Sequence, residues 1–279
     1  MNFLIGFSNK HFKEYSKSFS DLGFSLEYIE AKYKNSEDNS VNPDIVLSSN
    51  KLIHTILFDC KSNTVEEEQL VRYSKLTKEN IVDKTSVYDS KQLTYNICFC
   101  TNTANDSVIE DINNIKAWPI LRISKDWDEI KKENDFSKIQ LNKFFDKPIK
   151  LDCLPPTSFF PFSDSDTNGY IAGVIFQHIF AESERSKKIN LDPDKIAQEV
   201  NPFWKNINRK KQKLLIQKIT SIIYHFKNKG LDEKLKKILS SKKNPTKSLE
   251  ALQRECENLI DTLDKQTVLG TTKKAKSSK

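Results

Sequence analysis

The sequence predicts an α/β protein in which a mixed sheet flanked by helices is followed by an all-α C-terminal part. Three observations indicate this class. Short apolar runs alternate with amphipathic segments up to about residue 125, prolines and phenylalanines crowd residues 148–162, and apolar residues recur at helical spacing from Gly169 onward. A length of 279 residues accommodates one large domain or two of modest size.

The N-terminal elements are predicted in the order α-β-β-β-α-β-α-β. Phe12, Tyr15, Phe19 and Leu22 share one face of a helix over residues 9–22, which Gly23 ends. The elements that follow are strands over residues 24–31, 44–47 and 52–60, a helix over 64–76, a strand over 95–100, a helix over 106–114 and a strand over 118–123. This order implies a mixed sheet that closes near residues 125–150.

Composition divides the chain into four segments. Residues 1–150 form the α/β domain, 151–168 an irregular linker, 169–243 a basic helical domain, and 244–279 a helix with a Lys-rich tail that should be disordered. The clearest helix covers residues 207–227, where one apolar stripe contains Leu215, Ile219, Ile222, Ile223 and Phe226. A winged-helix or helix-turn-helix module is one interpretation of the basic domain.

The positive charge is concentrated near the C-terminal end. Residues 205–279 hold 20 Lys or Arg and 7 Asp or Glu, although the whole chain carries a net charge of only +7. Such asymmetry suggests contact with a polyanion. The candidate phosphate-binding residues are Arg209, Lys210, Lys211, Lys213 and Lys218. A packed helix with a solvated lysine face is the alternative.

Several classes of protein are disfavoured by the bulk composition. No apolar run approaches the roughly 20 residues of a membrane span, and the N-terminal residues lack the basic and apolar regions of a signal peptide. We therefore expect a cytoplasmic protein without membrane contact. The five cysteines show no Cys-x-x-Cys spacing, and Cys98 and Cys100, which would share one strand face, are expected to be buried free thiols.

Two acids and a lysine lie at the ends of apolar, strand-like runs. Asp59 and Lys61 share one face of their strand because successive side chains alternate between faces. Aspartate oxygens from Asp44 and Asp59 would suit Mg²⁺, and Lys61 would orient or deprotonate the attacking water or stabilise charge on a phosphate. This geometry requires a loop around residues 50–53, or a bulge, so that Asp44 lies opposite Asp59.

Here the chain resembles the PD-(D/E)xK nuclease superfamily, which has the restriction-endonuclease-like fold. Pro43-Asp44 and Asp59-Cys60-Lys61 carry the resemblance, in the expected α-β-β-β-α-β order over roughly residues 9–125. The resemblance implies that Asp44, Asp59 and the backbone carbonyl of Cys60 bind Mg²⁺ or Mn²⁺ and that Lys61 is catalytic.

Further members of the implied site follow from the same resemblance. Some relatives carry a Gln-x-x-x-Tyr helix after the lysine, which Gln69 and Tyr73 match, and their i, i+4 spacing places both on one helix face. These residues would position the lysine or the nucleic acid. Many members also have an acidic metal ligand on the first helix, for which Glu14 is the candidate.

These observations lead to two functional hypotheses. The first is a Mg²⁺-dependent endonuclease that hydrolyses phosphodiester bonds of double-stranded DNA. By analogy, it would act in restriction or phage defence, as a homodimer or with a defence-system partner. The second is a non-catalytic nucleic-acid-binding or assembly protein on a nuclease-like scaffold. Unrelated charges at an exposed strand end are a third interpretation of Asp44, Asp59 and Lys61.

Overall fold

The chain folds as two units, which are described separately. In the computed structural model, residues 1–8, 17–62, 64–102, 105–126, 128–151, 162–241 and 246–276 are described. The first unit comprises Met1–Phe159 together with Asn206–Asn208, and the second comprises Phe160–Lys205 and Arg209–Lys279. The first unit is an α/β structure with a mixed sheet flanked by helices, and the second is helical.

The sheet of the first unit has seven strands in the order β1-β4-β5-β6-β7-β8-β9, and β2 pairs with β3 in a separate hairpin. The strands are β1 (Phe24–Ile29), β2 (Tyr33–Lys34), β3 (Ser40–Val41), β4 (Ile45–Ser49), β5 (His54–Lys61), β6 (Thr94–Asn102), β7 (Ile120–Ile123), β8 (Glu129–Glu133) and β9 (Ile149–Lys150). The helices are α1 (Asn2–Ser8), α2 (Glu67–Ser74), α3 (Lys78–Val82), α4 (Asp106–Ile115) and α5 (Ile139–Phe144).

The central strands carry apolar side chains on both faces. Strand β5 pairs antiparallel with β4 and parallel with β6, and its residues from His54 to Asp59 are buried. On one face, Leu57 belongs to a core that includes Leu70 and Trp118. On the other face, the ring of Phe58 lies 5.5 Å from that of Phe19. A near-continuous apolar run is typical of a strand covered on both faces.

The N-terminal segment differs from the sequence-based expectation. A short helix, α1, spans Asn2–Ser8, whereas the helix expected over residues 9–22 lies largely outside the described residues. Its final part, Phe19–Leu22, is a 3-10 helix that Gly23 ends with a φ of 78°. The first strand ends at Ile29 rather than Ala31, and Glu30 has a φ of 53°.

The sheet ends at Lys150, within the range of residues 125–150 where it was expected to close, but it contains two strands after the last one predicted. Strands β8 and β9 and helix α5 had no distinct signal, because β8 is short and mostly charged and β9 has only two residues. Pairing with β7 supplies the backbone hydrogen bonds that stabilise such a polar strand. Cys98 and Cys100 are free and buried, as expected, and Cys60 is free but half-buried.

The second unit consists of helices packed around a single apolar cluster. The helices are α6 (Asn168–Ser186), α7 (Pro193–Val200), α8 (Arg209–Asn228), α9 (Leu231–Ser240) and α10 (Thr246–Lys276). The stripe of Leu215, Ile219, Ile222, Ile223 and Phe226 is buried in this cluster, which confirms the helix predicted over residues 207–227. The described part of the unit contains no strand, so it lacks the β-hairpin of a winged-helix domain.

The last helix is longer than the sequence indicated. Helix α10 is continuous to Lys276, whereas residues 273–279 were expected to be disordered, and residues 277–279 lie outside the described part. Lys and Ala are good helix formers, so the helix can continue beyond its packed segment. None of the helices in the described ranges has the length and apolar character that a bilayer-spanning segment requires.

Lowering the pH should destabilise the first unit through His54. This side chain is fully buried, and burial, followed by the positive charge of Lys138, lowers the pKa of His54 to about 3. As the pH falls, His54 is therefore protonated in the unfolded chain before it is protonated in the folded one. The free energy of unfolding is highest above pH 6.5 and decreases as the pH falls from 6.5 towards 3. Between pH 7 and 5 the loss is about 2 kcal/mol, at about 1.4 kcal/mol per pH unit below 6.5.

Urea unfolding at the two pH values measures this loss. His54→Gln cannot take up the proton, so its unfolding free energy should fall by about 2 kcal/mol less than that of the natural chain. Equal pH dependence in both proteins would contradict a depressed histidine pKa.

Candidate functional site

The pairing of β4 with β5 brings the two predicted acids together. Ile45 is the partner of Phe58 and Ser49 is the partner of His54, so the register places Asp44 opposite Asp59. The Asp44 amide donates to the Phe58 carbonyl at 2.8 Å, which extends the pairing beyond β4. The connecting loop covers residues 50–53. The register and loop that the sequence analysis required are therefore confirmed.

Asp44 is fixed at the end of β4 by hydrogen bonds from both sides. Its carbonyl accepts from the Glu30 amide at 2.7 Å, and its Oδ2 accepts from the Cys60 amide at 2.7 Å. The side chain is half-buried. The carboxylate therefore lies against the backbone that joins Asp59 to Lys61, where one oxygen has a protein donor.

Asp59, Lys61 and Gln69 form a closed network of polar contacts. Lys61 Nζ lies 2.7 Å from Asp59 Oδ1 and donates to Gln69 Oε1 at 2.5 Å. Gln69 Nε2 donates to Asp59 Oδ2 at 2.9 Å. The Asp59 and Lys61 side chains are only 4% and 10% exposed. A buried carboxylate is thus paired with an ammonium group, and the amide of Gln69 fixes both.

Helix α2 supplies Gln69 and holds Tyr73 one turn later. Tyr73 is buried, and its ring packs edge-on against Phe99, with 5.7 Å between the centroids. Its hydroxyl makes no hydrogen bond of normal geometry to a described residue. Burial and the neighbouring Asp59 carboxylate raise the pKa of Tyr73 well above its usual value, so the phenol remains protonated at neutral pH.

The electrostatic environment of Asp59 contains opposing contributions. Burial raises the pKa of Asp59, the ammonium of Lys61 lowers it, and the like charge of Asp44 raises it; the net effect is an increase. Burial makes the largest contribution, and the attraction of Lys61 is larger than the repulsion from Asp44. A divalent cation beside Asp44 and Asp59 would relieve this repulsion.

The available donors determine what ion the site could hold. Asp44, Asp59 and the Cys60 carbonyl are hard oxygen donors, which suit Mg²⁺ or Mn²⁺. No group of three or more His, Cys, Asp or Glu side chains converges within the described residues. Mg²⁺ commonly keeps several waters and binds through one or two carboxylates, so this donor set fits it. Glu14, the other expected ligand, lies outside the described residues.

An open cavity of about 590 Å³ adjoins Lys61. It lies at the carboxyl ends of the parallel strands β5 and β6, and its lining includes Lys61, Thr101, Asn105 and Lys125 but neither of the two predicted acids. Asn105 donates to the Ser62 carbonyl and so holds the end of β5. Sequence reasoning missed Thr101, Asn105 and Lys125, although polar residues just beyond parallel strands commonly line ligand sites.

Comparison with protein families identifies the first unit. The model of the MJECL32 domain matches residues 1–160, which is more than half of the chain. The chain belongs to the MJECL32 domain family. A second model, described as a domain of unknown function (DUF8601), matches residues 163–271, which cover most of the helical unit.

A curated relative and the solved structures were also compared. The chain is 40% identical over 48 residues to the "Uncharacterized protein MJECL32" of Methanocaldococcus jannaschii. This match covers 17% of the chain and 11% of the relative, so the chain spans only a small part of that protein's length. No solved structure matches.

In the region matched by DUF8601, the predicted phosphate-binding residues separate into two groups. Lys211 Nζ lies 2.7 Å from Asp164 Oδ1, and Lys218 Nζ donates to the Asp166 carbonyl at 2.7 Å. These two lysines therefore hold the segment before α6 against α8. Arg209, Lys210 and Lys213 are exposed. Lys211 and Lys218 thus have contacts within the helical unit that explain their presence.

Proposed function

We propose that this member of the MJECL32 domain family is a metal-dependent endonuclease that hydrolyses DNA. The observation that carries the proposal is the placement of Asp44 opposite Asp59, with Lys61 and Gln69 joined to Asp59. Lys61 also lines an open cavity. The resemblance of Pro43-Asp44 and Asp59-Cys60-Lys61 to the PD-(D/E)xK superfamily supports it. By that resemblance the sheet is the restriction-endonuclease-like core.

Asp44, Asp59 and the Cys60 carbonyl would hold Mg²⁺ or Mn²⁺. When bound, the cation lowers the pKa of water and neutralises negative charge on the phosphate. Asp44 keeps its orientation through the Cys60 amide, which occupies only Oδ2. Its other oxygen has no hydrogen bond to a described residue, so it can serve as a ligand without loss of that bond.

Lys61 would act on the reacting groups from the edge of the cavity. Its ammonium can donate to the attacking water or to a phosphate oxygen, because an ammonium has three hydrogens and two are directed to Asp59 and Gln69. Gln69 positions the lysine, since it accepts from Lys61 and donates to Asp59. Water would attack phosphorus, and the leaving sugar oxygen would take a proton, which yields a 5′-phosphate.

The second functional candidate is a nucleic-acid-binding protein without catalysis. The closed network favours it to some extent, because both oxygens of Asp59 already have protein partners and the same contacts could serve a structural ion pair. The first proposal also includes a role in restriction or phage defence, a cytoplasmic location, and assembly as a homodimer or with a defence partner. These parts of it rest on the resemblance.

Cleavage of supercoiled plasmid with Mg²⁺, Mn²⁺ or EDTA tests the proposal. The natural chain should cut only with metal, and Asp44→Asn should lower the rate by about 10²–10³-fold, because a neutral amide is a poorer ligand for a divalent ion. Asp38→Asn is the matched control, since Asp38 is exposed and in the same unit. DNA binding without cutting under every metal would favour the second candidate.

A further inference from the structure

Helix α8 presents a polar and basic face that lies opposite its buried stripe. Lys213, Gln217, Thr220, Tyr224 and Lys227 are all exposed, and their spacing of four, three, four and three residues places them on one side of the helix. Tyr224 is 62% exposed, which is unusual for a large aromatic side chain. The packing of the helical unit does not explain these side chains.

The charge of this face is not compensated on the helix itself. The 20 residues of α8 include six Lys or Arg and no Asp or Glu. Lys211 and Lys218 do not belong to this face. Lys211 forms an ion pair with Asp164, and Lys218 donates a hydrogen bond to the Asp166 carbonyl. Lys213 and Lys227 make no ion pair with a residue in the described part of the chain, so both ammonium groups are available to an external anion.

We infer that this face of α8, defined by Lys213, Gln217, Thr220, Tyr224 and Lys227, docks on double-stranded DNA. This inference rests on the DNA substrate of the proposed function. Lys213 and Lys227 are 14 residues apart, or about 21 Å along the helix. They would contact phosphates on the two sides of a major groove, which is wide enough to admit an α-helix.

The central side chains suit contacts within the groove. Gln217 carries both a donor and an acceptor, and Thr220 retains acceptor capacity although its hydroxyl donates to the Ile216 carbonyl at 2.7 Å. Tyr224 would pack its ring on the sugar-phosphate backbone. A membrane surface is a poor alternative, because the apolar stripe that would enter the lipid is buried in the protein core.

Binding of the full chain to a fluorescent DNA duplex in EDTA tests the inference without any cleavage. Lys213→Ala with Lys227→Ala should make the salt dependence of log K shallower by about 2, because each lost phosphate contact removes about 0.9. Between 50 and 200 mM salt the natural chain would then lose about ten-fold more affinity than this double variant. Tyr224→Ala should weaken binding several-fold.

The matched controls lie in the same unit. Lys188→Ala with Lys237→Ala removes the same charge from exposed positions outside α8, and Tyr170→Ala removes an exposed tyrosine from α6. Equal salt slopes for the two double variants would overturn the inference. So would tighter binding of single-stranded DNA, RNA or polyglutamate than of the duplex. Binding is measured in EDTA, where no cutting occurs. Loss of DNA binding in the α8 variants would therefore support this inference even if the protein cleaved no DNA with any metal.

Discussion

Lys61→Met should slow metal-dependent cleavage of plasmid DNA by about 10³-fold. Methionine retains most of the length of the side chain but cannot donate a hydrogen bond or carry positive charge. Water and phosphate at the edge of the cavity would lose the ammonium that orients them or stabilises developing charge. The rate constant should be measured at saturating enzyme, so that weakened DNA binding does not mimic a slower chemical step.

Lys34→Met is the matched control for this experiment. Lys34 lies in the same unit and pairs with exposed Asp38, and its own side chain is 49% exposed. A measurement of metal binding should also distinguish the role of Lys61 from that of the metal-binding acids. Mg²⁺ should raise the thermal unfolding midpoint of Lys61→Met but not of Asp44→Asn, because only the latter removes a ligand. Cleavage by Lys61→Met at the natural rate would exclude a catalytic lysine.

The same substitution should destabilise the metal-free protein by about 3 kcal/mol. Without Lys61, the Asp59 carboxylate stays buried beside Asp44 and retains only neutral neighbours among the described residues, the amide of Gln69 and the hydroxyl of Tyr73. Asp59→Asn together with Lys61→Met removes both charges and should recover most of the loss, because a neutral amide needs no counterion.

Urea unfolding at pH 7 in EDTA provides the measurement. The exposed pair of Lys34 and Asp38 is the control, since Lys34→Met with Asp38→Asn should change the unfolding free energy little. A single Lys61→Met variant as stable as the double variant would show that the isolated Asp59 carboxylate carries no penalty. That result would remove the electrostatic argument for a cation between the two acids.

The sequence pattern predicted more of the sheet centre than of its edges. Strands β4 and β5 were located because buried strands have long apolar runs, but the register that places Asp44 opposite Asp59 was a requirement of the metal-site hypothesis and was decided by the structure. Strands β8 and β9 were missed because their stability comes from pairing with β7 and with each other rather than from their own composition. Local patterns contain no signal for such strands.

In the candidate site, too, the sequence predicted which residues matter, and packing decided which of them are in contact. Asp44, Asp59 and Lys61 were identified from their positions at the ends of apolar runs, and Gln69 from the resemblance to the Gln-x-x-x-Tyr helix. The resemblance implied that Gln69 positions the lysine or the nucleic acid, but not that it would also contact Asp59. That contact depends on where α2 packs on the sheet. Among the basic residues, composition did not separate Lys211 and Lys218 from Lys213, because the separation depends on Asp164 and Asp166, more than 40 positions away along the chain.

By itself, the sequence determined the class of each segment and the face on which each motif residue lies. These properties follow from the periods of helices and strands, which act over a few neighbouring residues. Only the tertiary structure decided which polar groups become partners. Hydrogen bonds and ion pairs form over about 3 Å in space, and packing brings together groups that are far apart in the chain.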